Sequence, residues 1–111
     1  KNFLDSGGID NNYSLQDFPT DEPIACVFSN ITGMGVEYST NQLGIQFYTG
    51  NMMQNKYNGK YKKNYGLQYG LCLETQNFPD AINQLNFPSP ILRKGEDYQS
   101  FTKIKLRNNF I

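Results

Sequence analysis

"GVEYSTNQLGIQFYTG" spans residues 35–50 and contains two segments of alternating polar and apolar residues, "GVEYST" (35–40) and "GIQFYTG" (44–50). A period of two sends successive side chains to opposite faces of an extended chain, so both segments read as half-buried β-strands. The "NQLG" between them reads as a hairpin connection. Working outward, "ACVFSN" (25–30) is a short strand, and "YGLCLETQ" (69–76) is a β-prone, proline-free one. "YQSFTKIKL" (98–106) sets Ile104 and Leu106 against Lys103, Lys105 and Arg107, which predicts a half-buried final strand with a bulge near Ser100. No helix longer than a turn or two is visible. The expected fold class is therefore all-β, sandwich or barrel-like, with little helix.

The connections carry turn chemistry. Residues 1–11, with "DSGGIDNN" running on to Asn12, read as a loop. Residues 51–65 are polar, rich in Lys, Tyr and Asn and without period, and read as a long exposed loop. "FPDAIN" (78–83) predicts one helical turn, with Asn77 as cap and Pro79 near its start. "NFPSPI" (86–91) should be extended, because proline disfavours helix in the residue before it. "RKGED" (93–97) should be a tight turn, with Gly95 at the demanding backbone angle. "NFP" occurs at 77–79 and 86–88, and two copies do not make a repeat architecture.

Composition removes several function classes. Ten basic and ten acidic residues cancel, so there is no general electrostatic case for nucleic acid or an anionic membrane as partner. No apolar run is long enough to span a bilayer. The chain starts at Lys1 rather than Met, so the expectation is that something was cleaved off or that this is a fragment. The cysteines, Cys26 and Cys72, are spaced neither as a zinc site nor as a redox pair, and are expected as free buried thiols in a reducing, cytoplasmic setting. The sequons at Asn12 and Asn30 are commonplace in an asparagine-rich chain. There is no histidine. A Ser-His-Asp triad, a Cys-His pair or a His-based metal site therefore cannot be built from these residues, and any acid/base chemistry falls to carboxylates or draws on a partner group that lies elsewhere.

Three residues stand out as candidates. Glu74 lies near the end of the 69–76 strand, sharing a face with Cys72 and Gln76. It is either an ordinary solvent-facing glutamate or a base presented at a strand mouth. Gln46 shares a face with Tyr48. An amide can donate to and accept from hydroxyls while a ring covers the apolar face of a sugar, although an exposed strand glutamine explains the same pattern. Asp10, in "GGIDNNY", is either a turn acid or a hydroxyl ligand. "GMG" (33–35) is no phosphate loop, since a strand rather than a helix follows. Lys56, Lys60, Lys62 and Lys63 read as a solvated loop rather than an anion patch.

Together "GGIDNNY" (7–13), "VEYSTNQLGIQFYTGN" (36–51) and "GLCLETQNFPDAINQLNFPSPILRKGEDY" (70–98) resemble the aldose 1-epimerase (galactose mutarotase) family. The resemblance covers nearly the whole chain and implies the C-terminal part of a single domain with the mutarotase-like supersandwich fold. It places Glu74 on the family's general base, Asp10 on a sugar-hydroxyl ligand and Gln46 on a substrate-contacting amide. The turn after Glu74 would hold the acid in place. The implied activity interconverts the α and β anomers of hexoses such as galactose and glucose, with no cofactor or metal, in a monomeric enzyme. The family's acid is a histidine from earlier in the domain, which these residues lack. The family's "RPGE" is "RKGE" here, its "DHN" is "DNN", and Pro90 stands where proline is unusual. A non-catalytic carbohydrate-binding sandwich and a hexose-phosphate epimerase remain as alternatives.

Overall fold

A computed structural model describes residues 7–15, 22–53 and 58–108. Among the described residues six strands account for nearly all the regular structure: β1 (Asp10–Ser14), β2 (Ala25–Phe28), β3 (Gly35–Thr40), β4 (Gly44–Tyr48), β5 (Cys72–Gln76) and β6 (Thr102–Arg107). Two 3₁₀ turns, Lys60–Lys62 and Ala81–Asn83, are the only helical pieces among the described residues. The strands form two three-stranded sheets, in the orders β1-β4-β5 and β2-β3-β6. The protein is all-β, as an all-β sandwich requires.

The chain divides into two compact units, residues 1–13 with 45–74 and residues 14–44 with 75–111. In the second unit β2 and β3 form an antiparallel hairpin, with Val27 opposite Val36. Its loop closes on Ser29, whose Oγ accepts from the Ile31 and Thr32 amides, each at 3.3 Å. Gly33 takes a positive φ of 70° there, where a side chain would strain the backbone. On its other edge β3 pairs antiparallel with β6, with Tyr38 opposite Ile104 and Glu37 opposite Lys105.

That pairing overturns the expected hairpin between residues 35–40 and 44–50. Both edges of β3 are taken, so the chain leaves this sheet and enters the other as β4. The "NQ" of the connection is occupied as well. The Asn41 side chain accepts from the Phe101 amide at 2.9 Å and donates to the Gln99 carbonyl at 3.2 Å. Gln42 Nε2 donates to the Tyr98 hydroxyl at 2.6 Å, and the buried Thr40 hydroxyl donates to the Phe101 carbonyl at 2.7 Å. Residues that read as turn formers instead anchor the approach to β6. For the same reason residues 98–101 are not strand, and β6 begins only at Thr102.

Other expectations need smaller corrections. The segment read as loop to residue 11 already contains the start of β1 at Asp10. β5 begins at Cys72, because Gly66–Tyr69 form a turn with Gln68 at a positive φ of 61°. The predicted helical turn is the 3₁₀ piece Ala81–Asn83, but its cap position is Asp80, in left-handed backbone, rather than Asn77. Asp80 bonds forward, accepting from Asn83 Nδ2 and Gln84 Nε2, while Phe78 and Phe87 meet edge to face at 5.1 Å. The Arg93–Glu96 turn forms as expected: the Glu96 amide reaches the Arg93 carbonyl at 3.0 Å and Gly95 has φ 92°. The described part of 51–65 is largely exposed, but it is locally tied by a bridge between Asn58 and Asn64.

Burial is shallow. Leu15, Ile45 and Ala81 are the buried hydrophobic residues among those described. β6 is exposed along its whole length, including Ile104 and Leu106, so its half-buried reading fails. Both cysteines are free and exposed, against the expectation of buried thiols. Cys26 sits opposite the charged Glu37 in the β2–β3 pair, and Cys72 is the first residue of β5.

Candidate functional site

Asp10 opens β1 and Gln46 is the central residue of its neighbour β4. Backbone bonds at the two ends, Thr49 N to Ile9 O at 3.1 Å and Leu15 N to Leu43 O at 2.8 Å, fix the pair as antiparallel. In such a pair, diagonal residues on one face lie within reach of long side chains. Gln46 Nε2 donates to Asp10 Oδ1 at 2.6 Å. That bond sets the amide's orientation. It leaves Gln46 Oε1, its second N–H and Asp10 Oδ2 as a mixed acceptor and donor surface, the kind that suits hydroxyl groups.

The start of β1 is clasped to the end of β4. The Ile9 amide donates to Thr49 Oγ1 at 2.8 Å, Thr49 Oγ1 lies 2.7 Å from Asn51 Oδ1, and Asn51 Nδ2 donates to the Ile9 carbonyl at 2.9 Å. Thr49 is buried. Gly8 makes this approach possible. At φ +106°, a Cβ there would stand 1.9 Å from Asn51 Oδ1 and 2.7 Å from Thr49 Oγ1. Next in the chain, the Met52 amide donates to the Tyr48 hydroxyl at 2.9 Å. The ring expected to cover a sugar therefore also pins the turn after β4.

Glu74 is the middle residue of β5, the strand beside β4. It is exposed, and among the described residues its side chain makes no hydrogen bond or ion pair. The sheet thus places the three predicted residues on three neighbouring strands. Asp10 and Gln46 are joined directly, and Glu74 is bonded to neither. Sequence reading missed the clasp. Its signals were the Gly7-Gly8 pair ahead of Asp10 and the Thr-x-Asn spacing of residues 49–51, both typical of side chains that bond to nearby backbone. Among the described residues no cluster of three or more Cys, Asp or Glu is arranged to hold a metal ion, and no helix is long and apolar enough to cross a membrane.

Comparison with known sequences defines the class. The profile of the Aldose 1-epimerase family matches residues 1–105, and the chain belongs to that family. Over 98 residues it is 42% identical to the galactose mutarotase of Rattus norvegicus and 42% identical to that of Homo sapiens. Each alignment covers 88% of this chain and 29% of the relative. The galactose mutarotase of Bos taurus is 40% identical over the same length. The chain therefore spans less than a third of the length of the curated relatives it matches.

Proposed function

We propose that the protein carrying this chain is an aldose 1-epimerase that interconverts the anomers of a hexose such as galactose or glucose, and that residues 1–111 are the C-terminal part of its single catalytic domain. Glu74 is the general base. It takes the proton from the C1 hydroxyl while an acid protonates the ring oxygen, and the C1–O5 bond opens to the aldehyde. Rotation about C1–C2 and reclosure deliver the other anomer, with the protons returned. Asp10 and Gln46 hold sugar hydroxyls during the cycle. The acid is supplied from outside these residues, since the chain has no histidine. Two free thiols fit a reducing compartment, and so a cytoplasmic enzyme.

The observation that carries this reading is the Gln46–Asp10 bond of 2.6 Å on the sheet that also bears Glu74, in a chain similar to galactose mutarotases over most of its length. Polarimetry of a freshly dissolved α-hexose tests it. In the intact protein Glu74→Gln keeps the shape and removes the base, so kcat should fall by roughly 10²–10⁴. A wild-type rate in that variant would remove Glu74 from the role. The missing histidine also favours a non-catalytic carbohydrate-binding protein. That reading would require the intact wild type to bind hexose without accelerating mutarotation beyond buffer.

A further inference from the structure

The β2-β3-β6 sheet carries a groove of about 290 Å³ lined by Pro23, Glu37, Ser39, Lys103, Lys105 and Arg107. Three of these are cations from alternate positions of β6, so they stand on one face, spaced by about 7 Å. That is inside the screening length of about 8 Å at physiological salt, so the charges repel one another. One carboxylate answers them: Glu37 accepts from Arg107 Nη2 at 3.1 Å, with its side chain only 16% exposed. Lys103 and Lys105 make no ion pair among the described residues. Lys105 lies opposite Glu37, whose bond goes to Arg107, and Lys103 lies opposite Ser39, a buried residue that also lines the groove. Three cations and one anion leave a formal charge of +2 in one concavity of a chain whose total is zero. Concave surfaces concentrate such a field.

Two unpaired ammonium groups beside a hydroxyl complement a doubly charged tetrahedral oxyanion: each ammonium brings three donors, and bonds to an ionised acceptor are the strong kind. The volume sits near the lower bound of about 300 Å³ for small-molecule sites, enough for a phosphate with a small organic remainder. We propose that this groove binds the phosphate group of a small phosphorylated metabolite, at a site independent of Asp10, Gln46 and Glu74.

Calorimetry on the intact protein tests this with inorganic phosphate and glycerol phosphate, neither of which is an aldose, against potassium chloride at matched ionic strength. Saturable binding to both phosphates is expected. Lys103→Gln and Lys105→Gln should each weaken it about tenfold, the scale of one lost charge-assisted bond. Glu37→Gln should tighten it, because it removes the competing carboxylate. All of these side chains except Glu37 are exposed, so melting temperature checks that the lysine variants fold. If one fails to fold, protection of Lys103 and Lys105 from amine acylation by phosphate gives the same reading in the wild type. Absence of binding beyond chloride, or unchanged affinity in the double lysine variant, would overturn the proposal. So would tighter binding of an RNA oligonucleotide than of either phosphate, which would make the groove part of a polyanion surface.

Discussion

At the scale of single residues, the proposed site divides its work between chemistry and holding. Asp10 and Gln46 are joined at 2.6 Å, so removing either would forfeit its own proposed sugar contact and also leave the other without its partner. Hydrogen bonds to charged groups are worth about 1.5–3 kcal/mol, against about 1 kcal/mol for neutral ones. In the intact protein Asp10→Ala should therefore raise KM more than Gln46→Ala does. The double variant should cost less than the two single costs combined, because the two residues are coupled. Initial-rate kinetics on galactose measures all three. Equal and additive effects would show that the two side chains act separately. The carboxylate and the amide were both legible from the chain. The clasp of Gly8, Thr49 and Asn51 was not, because its members lie some forty positions apart and meet only once β1 lies beside β4.

At the scale of elements, local chemistry was readable where it needed no partner. β3 and β4 follow from alternation, β2 reads as a short strand, and the Arg93–Glu96 turn follows from its glycine. Pairing was not readable. A strand such as β3 carries two hydrogen-bonding edges, and nothing in "STNQ" says that both are taken or that Asn41 and Gln42 serve residues 98–101. The Arg93–Glu96 turn gives a stability prediction. Lys94 occupies the position where proline's fixed φ suits such turns, and its amide makes no bond among the described residues. Lys94→Pro should raise stability by about 0.4–1 kcal/mol by restricting the unfolded chain, read as a higher urea midpoint with an unchanged slope. A lower midpoint would mean that the turn does not tolerate the ring.

The 3₁₀ turn gives a pH prediction. Bonds from Asn83 first and Gln84 second hold the Asp80 carboxyl below its usual range, with burial opposing only slightly. Its folded pKa is thus lower than its unfolded one. The stability it contributes is present above the unfolded value of about 4 and is lost as pH falls through the folded one. Asp80→Asn keeps a side chain that tolerates left-handed backbone and removes this titration. The loss of melting temperature on acidifying through the carboxylate range should be smaller in the variant. Identical acid profiles would show that the three side chains are not coupled in solution.

At the scale of the molecule, all-β character was legible from the alternation and from the lack of helical periodicity. The extent of burial was not. β6 looked half-buried because alternation shows which residues share a face and says nothing of whether that face is covered. Ile104 and Leu106 are 54% and 81% exposed, Leu85 is fully so, and Leu15, Ile45 and Ala81 are the buried hydrophobics among the described residues. Fixing a backbone costs about 1–2 kcal/mol per residue, and so thin a core offsets little of it. Purified residues 1–111 should therefore bind a hydrophobic dye, unfold in urea without a sharp transition, and leave mutarotation at the buffer rate. A cooperative transition together with catalysis would show that the chain is self-sufficient.

The clasp at the mouth of β1 has a consequence for assembly. Slipping β1 by one residue against β4 would send Asp10 to the opposite side of the sheet. It would also pull Ile9 away from Thr49 and Asn51, so that the error forfeits several bonds together. Gly8 adds a steric check, since only a residue without a side chain can lie at that point of the clasp. The clasp therefore proofreads the alignment of the two strands: a misregistered chain fails there before Asp10 could be presented wrongly, and molecules with half a site should be scarce.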